Sequence, residues 1–344
     1  IHLNPARRAA APGQDVIKIQ LEPGDNPLVL KVANAGGRWG AMAAITGPKP
    51  NLVGVETSSK PPAKLRLAPL QDPRQQKIAA ALPGAAPAKP KKARRLLVFT
   101  LTRGFRHASI PTGVEALRQL GKQTGAYEVV HSEDIAIFEK KSLEKFDGIC
   151  FLSTTGELFR HPRLDALQGD ERKRALARQE RLQQNLIDFV NSGKGFCGIH
   201  AATDTLYKFE EYGKMIGGYF DGHPWHEKVG VKVEEPEHRL VSFFGEEFTV
   251  TDEIYQIKAP YSRFQQRVLL SLDTMRTNMK KNGIRRKDDD FPISWVKPYG
   301  EGRVFYCSLG HRDEIFWNPK VLEHYLAGIQ YVLGDLKVPD EPRK

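Results

Sequence analysis

Four apolar runs, separated by amphipathic stretches, constrain the fold of this chain more than any other feature. They are "RLLVFTLT" from Arg95, "YEVVHS" from Tyr127, "FDGICFLST" from Phe146 and "GFCGIH" from Gly195. A continuous apolar run such as the first is what a strand buried on both faces of a parallel sheet requires. Between the runs the periodicity becomes helical. "SIPTGVEALRQLGKQTG" predicts a helix with Ser109 or Thr112 as cap and Gly121 near its end. A short helix is expected at 141–145, a long charged one at 170–191, and another after Thr203. Beyond Val229 the pattern is richer in strands: "KVGVKVEE", "EFTVTDEIYQI", "RVLLSLD", then the hairpin "ISWVKPYGEGRVFYCSLG" and a terminal helix at 318–333. Strands alternating with helices predict a doubly wound α/β sheet, with a mixed edge supplied by the later strands.

Two zones precede this domain. Residues 1–46 alternate apolar and polar positions on either side of the turn "EPGDN", which predicts a small β segment. Residues 47–94 are rich in Pro, Ala and Lys and read as an extended linker carrying a short helix at 72–82. The third zone, 95–338, is the α/β domain.

Charge separates the same zones. The net charge is +11, and residues 49–95 hold eleven Lys or Arg against two acids. From Leu96 onward 36 basic and 36 acidic residues cancel. The basicity therefore belongs to a cationic linker, and the balanced domain shows no basic–aromatic stripe for nucleic acid. No apolar run reaches 18 residues, so no transmembrane helix is expected. The N-terminus has neither an apolar signal-peptide core nor an initiator Met, as expected of a processed chain or one beginning partway through a longer product. Cys150, Cys197 and Cys307 lie inside apolar runs and read as free core thiols.

Ligands of open parallel sheets bind beyond the carboxyl ends of the strands. Used as a filter, this selects four loops. The first holds Arg103, Arg106 and His107; the second Thr154, Thr155, Gly156 and Glu157; the third runs from His200 to Asp204; the fourth ends at His311. One strand-end histidine is more often structural, but three on one rim point to a functional cleft. "GGYFDGHPWHE" adds Asp221, His223 and His226, as a lid, a metal site or a packed turn. Asp252 and Glu253 are adjacent in a strand-like setting, so one is expected to face the cleft or core and the other to face away. His131, His161 and His324 read as surface residues, and "KKNGIRRKDDD" as a solvated loop.

These residues also carry a resemblance. "TLTRGFRHASIPTG", "FLSTTGEL", "FVNSGKGFCGIHAATDTLYKFEEYGKMIGGYFDGHPWHE", "DEIYQ" and "ISWVKPYGEGRVFYCSLGHRDEIFW" resemble the ThuA-like (trehalose utilisation) proteins over about residues 95–338. The match is nearest to secreted, multi-module forms. The resemblance implies a flavodoxin-like, class I glutamine amidotransferase-like fold, with a mostly parallel sheet. Residues 1–46, through "GDNPLVLKVAN", are similar to the last strands of galactose-binding-like β-sandwich modules. Amidotransferases of this fold carry Gly-Ile-Cys at a sharp elbow; here Gly198-Ile199-His200 stands in that place, which implies that glutamine amidotransfer is lost. An elbow imidazole can move a proton near neutral pH, bond a sugar hydroxyl or bind a metal.

The resemblance implies a carbohydrate-processing protein acting on a disaccharide or 3-keto-glycoside, as hydrolase, lyase or isomerase, outside the cytoplasm. His200, His107, Glu253 and His311 are the candidate catalytic groups. Arg106, Thr154, Thr155, Asp204, His223, His226 and Tyr255 are the candidate substrate contacts. An adjacent donor, His107 or Thr155, is expected to hold a developing oxyanion. The alternative is a non-catalytic carbohydrate-binding or assembly module, with protein partners reached through the N-terminal β segment and basic linker. No cofactor is certain. A third reading places a divalent ion, zinc or an iron- or manganese-type metal, on His107, His200 and His223, with Asp204 or Glu253.

Overall fold

The computed structural model describes residues 73–245 and 248–343. The β segment expected at 1–46 and most of the linker lie outside the described residues. The first elements are α1 (Pro73–Ala81), β1 (Arg95–Phe99), α2 (Ile110–Thr124), β2 (Glu128–Ser132), α3 (Lys140–Leu143), β3 (Gly148–Leu152), α4 (Gly169–Asn191) and β4 (Gly195–Ile199). There follow α5 (Glu210–Ile216), β5 (Tyr219–Phe220), β6 (Trp225–Val233), β7 (Phe248–Ile254), β8 (Ile257–Lys258), β9 (Arg267–Leu272), β10 (Pro292–Tyr299), β11 (Gly302–Cys307) and α6 (Pro319–Val332).

Nine of these strands form one sheet in the order β2-β1-β3-β4-β11-β10-β9-β6-β7. The first five are mutually parallel, and the remaining pairings are antiparallel. The order 2-1-3-4 followed by a fifth parallel strand is that of flavodoxin-like sheets. The antiparallel part is more than an edge: four strands are added. Four antiparallel steps restore the original direction, so the carboxyl end of β7 returns to the rim where β1, β3, β4 and β11 end. That rim is the place at which the fold can build a site.

Each central strand is covered on both faces, as its unbroken apolar run requires. Leu96 and Val98 of β1 pack into the core shared with α1, α2 and α6, whereas Leu97 and Phe99 belong to the opposite core. All three cysteines are free and buried, with Cys197 in the first of these cores. Ser109 precedes α2, but its hydroxyl donates to the Gly310 carbonyl at 2.8 Å instead of capping the helix. The start of α2 is thereby tied to the loop after β11. The residue past the end of α2 is Gly125, in the left-handed region at φ 65°; Gly121 sits in the last turn, where a Cβ would meet the Tyr127 carbonyl oxygen at 2.4 Å. His324, expected at the surface, is fully buried: its ring bonds the Leu240 carbonyl at 2.7 Å and the Ser294 hydroxyl at 2.8 Å. The apolar face of α6 pulls it inward. Among the described residues no helix is long and apolar enough to cross a membrane.

The described end of the expected linker, 73–94, is packed. Ile78 of α1 is fully buried, and Ala88 exchanges two hydrogen bonds with the side chain of Gln330. Arg94 holds Asp335 through two contacts, Nε to Oδ2 at 2.9 Å and Nη2 to Oδ1 at 2.6 Å, and the Lys91 amide donates to the same carboxylate. Burial by itself disfavours the guanidinium charge, but the pairing with Asp335 raises its pKa above the ordinary value. Removing Asp335 would leave the Arg94 guanidinium only its looser contact with Asp147, at 3.5 Å. Asp335→Ala is expected to lower the unfolding free energy by about 3 kcal/mol, read from chemical denaturation; a loss below about 1 kcal/mol would place this contact among weak surface pairs.

Candidate active site at the carboxyl rim

The strand order brings together residues that are far apart in the chain. His107 comes from the loop after β1, His200 from the end of β4, Glu253 from the end of β7, and His311 from the loop after β11. One ligand atom from each of the four lies within 4.8 Å of the others. The three imidazoles meet edge to face, with ring centres 4.6 Å apart for His107 and His200, 5.2 Å for His107 and His311, and 5.4 Å for His200 and His311. His200 is fully buried, His107 and Glu253 are nearly so, and His311 opens to solvent.

His200 sits on a strained elbow. Its φ is +53°, in the left-handed region that non-glycine residues rarely adopt and that costs of order 1–3 kcal/mol. The turn is held by Tyr306, whose hydroxyl donates to the His200 carbonyl at 2.8 Å. The ring is held from both ends. Nδ1 lies 2.7 Å from the Ser308 carbonyl, which only accepts, so Nδ1 carries the proton. Nε2 then presents a lone pair, towards which the Tyr255 hydroxyl points at 3.0 Å.

Glu253 is the anionic centre of the group. Its Oε2 is 3.1 Å from His311 Nδ1 and 3.6 Å from His200 Nε2, and its Oε1 is 3.4 Å from His223 Nδ1. Burial works to raise this carboxyl, but the His311 hydrogen bond and the surrounding imidazoles outweigh it, and its pKa falls below the ordinary value. His311 moves up in return, chiefly through its bond to Glu253. Burial, with the neighbouring His311, pushes His107 down to about 4. Burial also drives His200 well below its usual range. At neutral pH the mouth thus holds two neutral imidazoles beside an imidazole and a carboxylate 3.1 Å apart.

The adjacent carboxylates turn opposite ways, as strand alternation predicts, and both are covered. Asp252 accepts the amides of Gly310 at 2.7 Å, Arg312 at 3.0 Å and His311 at 3.3 Å. Burial pushes its carboxyl up to about 6, against those three donors. Asp252 therefore anchors the loop that carries His311, while Glu253 meets the imidazoles. The alternation of a strand gives the two neighbours opposite targets.

Several expected substrate contacts are engaged elsewhere. Thr154 bonds Thr205 at 2.9 Å, and Thr155 donates to the Phe105 carbonyl at 2.9 Å while accepting the Gly104 amide at 3.1 Å. Both are fully buried and their hydroxyls hold the rim loops together, so the Thr155 proton expected for an oxyanion is already given to the Phe105 carbonyl. Arg106 is turned to Glu133, at 2.7 Å. Tyr255 is buried against His200 and positions that ring. Asp204 accepts the Tyr207 hydroxyl at 2.6 Å. His223, half exposed and stacked on Phe220, and His226, whose ring centre is 4.6 Å from His311, line the mouth. Of the expected metal set, His107 and His200 fall in the compact group with Glu253 and His311, while His223 reaches it through Glu253 at 3.4 Å.

Two features escaped the sequence reading. Phe105 is 64% exposed, with its ring centre 4.8 Å from that of His107. In the sequence it is a lone aromatic between arginines, with no periodic signal to mark it. The run 280–290 is the expected solvated loop, and it is also tied down: Gln256 bonds the Gly283 carbonyl and Arg285 amide, and Arg285 pairs with Asp221 at 2.6 Å.

Asp252→Ala removes the acceptor of three amides at once. It is expected to destabilise the protein by about 1.5–3 kcal/mol, the range for hydrogen bonds to a charged group. The amides of Gly310 and Arg312 should then exchange with solvent much faster; unchanged exchange at those positions would show that the loop is held by other contacts.

Comparison with solved structures gives the same fold. The chain is similar to a ThuA-like protein from Bacteroides uniformis, at 22% identity and TM-score 0.55, covering 72% of this chain and 94% of that one. A ThuA-like protein from Parabacteroides merdae matches at 17% identity and TM-score 0.50, over 72% and 94% of the two chains. No curated protein matches the chain significantly. The sequence model of the ThuA family, described as trehalose utilisation, matches residues 95–332, and the chain belongs to that family.

Proposed function

We propose that this protein processes a carbohydrate, a disaccharide or its 3-keto form, at the mouth formed by His107, His200, His311 and Glu253. The observation that carries the reading is the convergence of those four groups from four separate segments. The family's association with trehalose utilisation supplies the substrate class. The exposed ring of Phe105 beside His107 offers a flat apolar surface on which the C–H face of a sugar can rest.

A ketone at C3 acidifies the C–H bonds beside it. A basic group of the mouth within about 3 Å of such a proton can accept it while polar groups neutralise charge developing on the ketone oxygen. Buried, pre-oriented imidazoles suit both tasks, because their surroundings need not reorganise during reaction. The elbow that would carry a thiol nucleophile in an amidotransferase carries His200 here, and Cys197 is buried in the core, so no thioester route is open. The extracytoplasmic setting implied by the secreted, multi-module resemblance belongs to the same proposal.

The test is turnover of a 3-keto-glucoside by the full chain and by His200→Ala, with products followed by chromatography. A fall in kcat/KM of at least about 100-fold is expected, the scale of a lost acid–base group. Undiminished turnover by the variant removes His200 from the reaction, and sugar binding without any product would mark a non-catalytic module.

A further inference from the structure

We infer that His107, His200, His311 and Glu253 together bind one divalent first-row transition-metal ion at the carboxyl rim of the sheet. The inference concerns this chain's own donor set and holds whichever sugar the protein handles.

The first argument is an electrostatic mismatch. The Ser308 carbonyl fixes the His200 proton on Nδ1, so Nε2 is a lone pair. Oε2 of Glu253 is likewise an acceptor and faces that nitrogen at 3.6 Å. Two acceptors directed at one another in a water-poor setting repel, and the Tyr255 hydroxyl has a single proton with which to relieve them. A cation between them satisfies both. Nδ1 of His107 adds to the mismatch: it is buried and has no hydrogen-bond partner among the described residues, on a side chain only 5% exposed. Leaving such a nitrogen unpaired is costly unless something binds it.

The second argument is spacing. With ligand bonds of 2.0–2.2 Å, tetrahedral donors lie roughly 3.3–3.6 Å apart. The separations from Oε2 of Glu253 to His311 and His200, 3.1 and 3.6 Å, bracket that interval, and the widest separation in the group is 4.8 Å. The outer contacts are those that orient metal-binding imidazoles: Nδ1–H of His200 donates to a backbone carbonyl, which aims Nε2 inward. Asp252, through the amides of residues 310–312, holds the backbone of the fourth ligand.

The donor types select the ion. Three imidazoles with one carboxylate suit zinc, cobalt or iron in the divalent state, whereas magnesium and calcium prefer oxygen. Four protein donors fill a tetrahedral ion, so a substrate oxygen would enter only as a fifth ligand, from the side where solvent reaches His311. With these four side chains holding the ion, the activity lost in His200→Ala would report loss of the ion, and proton transfer would fall to His223 and His226 at the mouth.

The full chain, stripped with a chelator and then dialysed against limiting Zn²⁺, Co²⁺ or Mg²⁺, provides the test, with elemental analysis and the visible absorption of Co²⁺ as readouts. One Zn²⁺ or Co²⁺ per chain is expected, and no retained Mg²⁺. His107→Ala and the near-isosteric Glu253→Gln should each weaken Zn²⁺ binding by more than the roughly 10–100-fold that loss of an outer partner costs. His223→Ala, which removes only an outer partner of Glu253, should weaken binding by no more than roughly 10–100-fold. Circular dichroism separates lost affinity from lost fold, and Glu253→Gln decides the matter should His107→Ala misfold. A natively folded parent that retains neither Zn²⁺ nor Co²⁺ overturns the inference, as does full retention by folded Glu253→Gln. Since binding is read without sugar, a metal-free but active protein would sink this inference alone, and a loaded protein inert towards keto-glycosides would sink only the substrate reading.

Discussion

The parallel pairing of β11 with β4 is the contact on which the mouth depends. Its register sets Cys307 opposite Ile199, so the next residues, Ser308 and His200, lie beside one another as the strands end. The Ser308 carbonyl then accepts the Nδ1 proton of His200 at 2.7 Å and leaves Nε2 facing inward. One backbone register thus selects a tautomer. A slip of one residue would turn every side chain of β4 to the other face and carry His200 out of the group. The register is guarded by close packing: a Cβ at Gly198 would come within 3.1 Å of both Tyr306 and Ala202, and one at Gly195 within 2.2 Å of the Val332 carbonyl oxygen.

The antiparallel half of the sheet contributes the charge. Without β7, three imidazoles would share a buried rim with no anion among them. Glu253 supplies that anion from a strand returned to the same rim by four reversals, and its neighbour Asp252 turns the opposite way to clasp the amides of residues 310–312. The pair divides the work between electrostatics and scaffold. Burial raises Asp252, and it remains useful because its targets are amide donors, which favour a carboxylate without needing a counter-ion.

The doubly wound half was legible because its signals are local. The runs at β1, β3 and β4 are fully buried apart from Arg95, and unbroken apolar strands require two covered faces. Placing His107, His200 and His311 on one rim followed from the direction of parallel strands. The threonines were misread because strand-end hydroxyls look alike in sequence whether they face solvent or one another; Thr154 and Thr155 bind the rim loops from within. Arg106 is paired at the surface with Glu133 from a different strand end, a partner that spacing along the chain does not reveal. His324 fooled a reading based on polarity, as a buried ring with two partners costs little.

What the amino-acid sequence determined by itself was the alternation of strand and helix, the rim at which chemistry can occur, and a histidine, His200, at the turn that ends β4. Periodicity and strand direction act over a few residues, so they are written in the chain. Which imidazoles close into one group was decided only by tertiary structure. His311 outranks His223 because the β4–β11 register and the Asp252 clasp hold its loop against Glu253, whereas His223 remains half exposed on Phe220. Those contacts join segments more than fifty residues apart, as Asp252 and Gly310 are, and spacing along a chain carries no record of them.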